Sequence, residues 1–163
     1  MTAQSFRSTR PLSPPYTQTR DGYRVSTDPA LLDLTVIQRY LAEDSYWAQG
    51  IPMEVVERSI VGSLCLGLYD PSGAQVGFAR VVTDRATFAY LCDVFVLPAH
   101  RGQGLGVWLT DCVLAHPDLQ GLRRFLLTTQ TAHGVYEKSG FVRVPFPERF
   151  MVIDRPTLYL DAE

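Results

Sequence analysis

Apolar residues along this chain change rhythm twice. Leu32, Val36 and Tyr40 recur at helical spacing, joined by Ile37 and Leu41. Ahead of them Asp28-Pro29 has the chemistry of a helix start, an acid to cap free amides and a proline for the first turn. Residues 43–50 interrupt the pattern as a loop, and Pro52 opens a second helical stretch to about residue 60, with Val55, Val56, Ser59 and Ile60 inward. From Leu64 the rhythm shortens. Leu64–Tyr69 and Gln75–Thr83 read as strands around the turn Asp70-Pro71-Ser72-Gly73. Residues 87–97 read as a longer strand rich in aromatic and β-branched side chains. Helical spacing returns over 104–115, where Leu105, Trp108, Leu109 and Cys112 form one stripe. The pattern then predicts a strand at 124–129, a short helix at 132–138 and final strands at 141–144 and 150–154, with one more short strand at 23–27. These elements predict an α/β domain on a mixed sheet, with hairpins first and one strand-helix-strand crossover after them.

Composition narrows this picture. The 163 residues suit a single domain, expected over 22–163. Residues 1–21 carry Arg7, Arg10 and Arg20 with almost no acid, but Pro11, Pro14 and Pro15 break any amphipathic helix there. A flexible tail is expected, with a targeting segment as the lesser alternative. Fifteen basic and 17 acidic side chains leave a net charge of −2, which makes no electrostatic case for nucleic acid or an anionic membrane. No apolar run approaches the ~20 residues of a membrane helix. Cys65, Cys92 and Cys112 are an odd, widely spaced set in apolar runs, so reduced buried thiols and a cytoplasmic location are expected. His100, His116 and His133 are scattered, and no metal site is expected.

The most informative segment follows the long strand. Pro98 ends the ladder by removing a donor, and Arg101-Gly102-Gln103-Gly104-Leu105-Gly106 then opens the helix. Glycines at 102, 104 and 106 free the backbone to turn successive amides into one concavity, to which the helix adds its positive end. Such a loop is an anion site, and Arg101 supplies a charge suited to phosphate. It is not a dinucleotide fingerprint, because Val107 stands three residues after Gly104, and no P-loop occurs.

The run Arg101–Gly106 resembles the acetyl-CoA motif of the GNAT superfamily of N-acetyltransferases, whose pattern is Arg or Gln, two residues, Gly, one residue, Gly or Ala. Downstream, Val135-Tyr136-Glu137-Lys138-Ser139-Gly140-Phe141 resembles that family's Tyr-Glu-Lys-x-Gly-Phe segment, at a similar distance. The resemblance implies a mostly antiparallel central sheet flanked by helices, with the two central strands splayed so that a thioester enters between them. It implies that acetyl-CoA is the acetyl donor. The backbone of Phe95 and Val96 would pair with the pantetheine arm. Arg101, Gly102, Gln103, Gly104, Leu105 and Gly106 would hold the pyrophosphate. Tyr136 would act as the acid toward the leaving thiolate, and the acceptor would be an amine.

Transfer to an amine also requires a neutral nucleophile. An alkylamine of pKa near 10.4 is neutral in only about 1 molecule in 2,500 at pH 7, so deprotonation costs roughly 4–5 kcal/mol without help. Asp93 is the candidate base or ammonium anchor, because a carboxylate in so apolar a strand is costly without a partner or a role. Strict alternation would put Leu91, Asp93 and Phe95 on one face and Cys92, Val94 and Val96 on the other. A water chain could replace a direct base. Asp84, at a strand end, reads as a turn residue. Tyr46 and Trp47, with Glu43 and Asp44 nearby, are candidates to line the acceptor pocket or to pack in the core. His133, ahead of the short helix, is a weaker site candidate. A module that binds acetyl-CoA without turnover is the alternative to an enzyme, and a final strand could pair two subunits in a homodimer.

Overall fold

The computed structural model of this chain describes residues 14–160. Six strands lie in one sheet whose spatial order follows chain order. They are β1 (Thr17–Arg20), β2 (Tyr23–Ser26), β3 (Leu64–Tyr69), β4 (Gln75–Thr83), β5 (Phe88–Val96) and β6 (Arg124–Leu127). Neighbours are antiparallel except β5 and β6, which run parallel across the helical crossover. The helices are α1 (Leu34–Arg39), which continues into a π-helical turn at Tyr40–Asp44, α2 (Met53–Val61), α3 (Leu105–Leu114) and α4 (His133–Lys138). The mixed, mostly antiparallel α/β sheet matches the sequence expectation.

The sheet is buried on both faces. Leu66, Val81 and Leu91 pack with Leu105, Leu109 and Val113 of α3 on one side. Cys65, Phe78 and Phe95 pack with Ile37, Leu41 and Val56 of α1 and α2 on the other. Among the described residues no helix is long and apolar enough to cross a membrane. The three thiols are free, and burial pushes Cys65 and Cys92 up to about 12 and Cys112 to about 11, which keeps them protonated and unreactive at neutral pH.

Three local expectations are corrected. Residues 17–20, expected in the tail, form β1, turned onto β2 by Asp21 and Gly22 at φ 50° and 82°. Residues 1–13 of the expected tail lie outside the described residues. Asp28-Pro29 opens only one 3₁₀ turn, and α1 starts after Asp33, whose carboxylate accepts from the amides of Thr35 and Val36. The stretches 141–144 and 150–154 are not strands. Pro145 and Pro147 remove ladder donors between them and a 3₁₀ turn occupies Pro147–Arg149, while Met151, Val152 and Ile153 project into solvent.

One irregularity shapes the centre of the sheet. Arg80 pairs with Cys92 and Phe78 with Phe95, so two steps along β4 span three along β5. The extra residue is a bulge at Asp93, whose φ of 51° lies in the left-handed region that Asp tolerates better than most residues. The bulge overturns the expected alternation. Val94 and Val96 pack on the same core as Leu91, whereas Phe95 lies in the opposite one.

Candidate active site

Pairing between β5 and β6 stops at Leu91 and Leu127, one residue before the bulge begins. Beyond that point β6 ends while β5 runs on to Val96, so this edge of β5 has no strand paired to it and borders an open cleft. The Leu97 amide donates to Val76 on β4, so strand alternation turns the Phe95 backbone toward β4 and the Val94 and Val96 backbones toward the cleft. The Phe95 ring is buried and stacked on Tyr40, with centroids 3.9 Å apart.

At the end of β5 the chain makes a 3₁₀ turn at Pro98–His100 and enters the glycine loop. Gly102 and Gly104 have φ of 78° and 72°, conformations that side chains resist. A Cβ built on Gly102 would meet nothing within 4 Å, and one on Gly106 would meet only Val135 at 3.9 Å. Gly104 is the N-cap of α3, and no side chain caps its first turn. The loop is therefore an open concavity floored by backbone, with amides free to receive an anion. Arg101 turns back from it. Its Nε donates to the Val96 carbonyl at 2.9 Å and its Nη2 to the Tyr40 hydroxyl at 3.1 Å, which clamps the end of β5 to the helical layer. Gln103 stays exposed and donates to the His100 carbonyl at 3.3 Å, and Leu105 is in the core.

The loop between α1 and α2 bridges the cleft. The Tyr46 hydroxyl accepts from the Gln130 amide at 2.9 Å, just past β6. The Trp47 indole donates to Asp93 Oδ1 at 3.0 Å on β5. The two rings meet edge to face, 4.9 Å apart, and remain 45% and 39% exposed. The other Asp93 oxygen, Oδ2, accepts from Arg80 Nε at 2.6 Å, and Arg80 Nη1 donates to Ser63 at 3.1 Å. Burial opposes the Arg80 charge, but Asp93 beside it holds the guanidinium above its ordinary value. Both Asp93 oxygens are thus engaged. The Arg80–Asp93 ion pair is largely shielded from solvent, its side chains only 18% and 10% exposed.

Tyr136 faces this region from α4. The sequence around it builds a helix stop: Gly140, at φ 92°, donates to the Glu137 carbonyl and Phe141 donates to that of Tyr136. Phe141 then packs edge to face on both Tyr136 and Phe125. Ser139 ties the helix end to Asp111 of α3 at 2.7 Å. Burial, with a smaller contribution from Tyr46, pushes the Tyr136 phenol up to about 12.

The sequence of this region matches the profile of the acetyltransferase (GNAT) domain over residues 61–143. An acetyltransferase of Gibberella zeae is 37% identical over 144 residues, covering 75% of this chain and 80% of its own length. This chain belongs to the GNAT acetyltransferase family. A GNAT-family structure from Xanthomonas campestris is 54% identical, covers 84% of this chain and 96% of its own, and superposes with a TM-score of 0.81. An acetyltransferase from Clostridium acetobutylicum, solved with acetyl-CoA, shares the fold at 16% identity and a TM-score of 0.58, over 81% of this chain and 94% of its own. The GNAT profile spans β3 to α4 and excludes the β1–β2 hairpin, α1 and the Tyr46–Trp47 loop.

Other candidates take structural places. Asp84 accepts from Thr87 through its hydroxyl and amide and from the amides of Ala86 and Phe88, which hold its carboxyl well below the usual range. It is a turn residue. His133 is the first residue of α4. Among the described residues no group of three or more His, Cys, Asp or Glu could hold a metal. Sequence reasoning missed Arg80, the partner of Asp93, and Tyr40, the partner of Arg101. Their signal was present only in the fold, because each pair joins elements separated along the chain.

Proposed function

We propose that this GNAT protein transfers the acetyl group of acetyl-CoA to an amine by direct attack within a ternary complex. The observation that carries the reading is the coincidence of the open glycine loop, the cleft beginning at Asp93 and the Tyr136 phenol. The amides of 102–106 hold the pyrophosphate. The pantetheine arm lies along the cleft edge of β5, where the Val94 and Val96 backbones point. A cleft amide of this edge donates to the oxyanion that forms on the thioester carbonyl.

In the transfer a nitrogen–carbon bond forms, the carbon–sulfur bond breaks, and the proton lost by nitrogen ends on sulfur. With the phenol at about 12 and a thiol near 8.5, full proton transfer from Tyr136 to the thiolate is uphill by about 5 kcal/mol. Tyr136 therefore stabilises the departing thiolate by hydrogen bonding, and the proton that sulfur takes up comes through solvent from the nitrogen of the tetrahedral intermediate, after the neutral amine has attacked. Asp93 acts as a positioning residue that holds Trp47 at the cleft. The exposed Tyr46 and Trp47 rings form the wall against which a cationic amine seats before losing its proton.

The test is thiol release from acetyl-CoA with a panel of primary amines, ranging from amino acids and polyamines to peptide N-termini. Acceptor-dependent release at rates well above hydrolysis supports the reading. Tight acetyl-CoA binding with no acceptor turned over would sink it and leave a sensing module.

A further inference from the structure

We propose that Arg20, at the end of β1, binds the phosphates of the CoA donor at the glycine loop. The inference rests on the acetyl-CoA reading above and adds to it a residue outside the matched GNAT segment. The resemblance gives the phosphate charge to Arg101, but two donors of that guanidinium are bonded to Val96 and Tyr40. Arg20 occupies the place left open. Its Nη2 donates to the Gln103 carbonyl at 3.2 Å, within the loop itself. A Cβ on Gly104 would lie 3.8 Å from the same nitrogen. The guanidinium lies over the Trp108 ring, 4.9 Å from its centroid, above the uncapped first turn of α3.

This geometry leaves a charged fork facing an anion site. A guanidinium carries five N–H donors. The Gln103 carbonyl takes one, and the Asp21 carboxylate, 3.7 Å from Nε and 89% exposed, is a weak competitor. The indole face holds the guanidinium over α3 while its other N–H donors remain for phosphate oxygens. The hairpin is also fastened to the loop. Tyr23 hydrogen-bonds His100 Nδ1 at 3.0 Å and accepts from Gln103 at 3.5 Å. The ordering cost of presenting the cation is thus met before the donor arrives.

The experiment compares two donors, acetyl-CoA and S-acetylpantetheine, which lacks every phosphate. Arg20→Gln is expected to raise KM for acetyl-CoA about tenfold, with kcat within twofold and KM for S-acetylpantetheine unchanged. Arg20→Lys, which keeps the charge but not the fork, should recover to within about threefold of the parent. Equal rises in both KM values would show that the substitution disturbs the whole site rather than a phosphate contact, and an unchanged KM for acetyl-CoA would equally overturn the proposal. If Arg20→Gln does not fold, Asp21→Asn decides. It removes the competing carboxylate and tolerates the same backbone, so KM for acetyl-CoA should fall about twofold, and no change overturns the role. Calorimetry on the parent protein separates the two levels. Absence of CoA binding there would overturn the donor reading itself, and Arg20's role with it.

Discussion

The two halves of β5 differ in what they meet. Residues 89–91 are paired with β4 on one side and β6 on the other. Phe95 and Val96 keep β4 but have no β6 partner, and one edge of the strand faces the cleft. One extra residue, Asp93, separates a half that holds the sheet together from a half that can hold a ligand. The difference teaches that this site is made by withholding strand pairing at a chosen place, with the Arg80–Asp93 ion pair seated at the bulge.

Substitutions on either side of Asp93 should therefore separate stability from function. The largest effect is expected in the paired half. Leu91 is buried among both neighbours and α3, and Leu91→Ala should cost about 3 kcal/mol in urea unfolding while KM for acetyl-CoA in the surviving folded protein stays within twofold. Across the cleft the signature should invert. Tyr136→Phe should lower kcat about 100-fold, roughly 2.7 kcal/mol, with the unfolding midpoint unchanged. Because the phenol stands at about 12, no loss of rate from its ionisation is expected up to pH 10.

Asp93→Asn tests the divide itself. Asn tolerates the left-handed backbone and can still accept from Trp47, but Arg80 loses its counter-charge, so about 2 kcal/mol of stability should go. As a positioning residue, Asp93 should show a raised KM for the amine with kcat within threefold. A collapse of kcat and loss of the ascending, low-pH limb of the pH profile would instead make it the base.

The smallest effect concerns the buried turn that follows α3. His116 Nδ1 accepts from the Asp118 amide, and burial holds the imidazole below its ordinary 6.5. The unfolded chain then takes up a proton first. The His116 contribution is complete above about pH 6.5 and is lost as pH falls through the lower folded value, with a slope of at most about 1.4 kcal/mol per pH unit. Urea unfolding between pH 7 and 5 checks this, and His116→Gln should flatten that part of the curve.

Much of this was legible in the sequence, for identifiable reasons. β3 and β4 fall where alternation and the Asp70–Gly73 turn place them, because both flank a hairpin with local turn chemistry. The glycine loop and the Tyr136–Phe141 helix stop are equally local, since positive φ demands glycine wherever it occurs. What depends on tertiary pairing was not legible. A period-two pattern contains no sign of a bulge, so the faces of Asp93 and Phe95 were out of reach. β1 has only Thr17, Gln18, Thr19 and Arg20, with no apolar side chain to mark it, and it is a strand because β2 is beside it. Asp28-Pro29 carries every mark of a helix start, yet Asp33 prevails by accepting two amides. Arg20 looked like tail composition because its meaning lies 83 residues away, at Gln103.

The sheet order also sets a sequence of events. Strands β3, β4 and β5 follow one another through short turns, and β1 and β2 form their own hairpin. Two pairings close long excursions, β2 onto β3 across residues 27–63 and β5 onto β6 across residues 97–123. Closure entropy places such contacts late, after the local meander has formed. The first long closure carries Arg20 to the glycine loop, and the second raises the wall opposite β5. Pulsed hydrogen exchange during refolding should find amides of β3–β5 protected before those of β6. A newly made chain would then hold most of its core before it could grip its donor, and the competence to react would arrive with the last strand to dock.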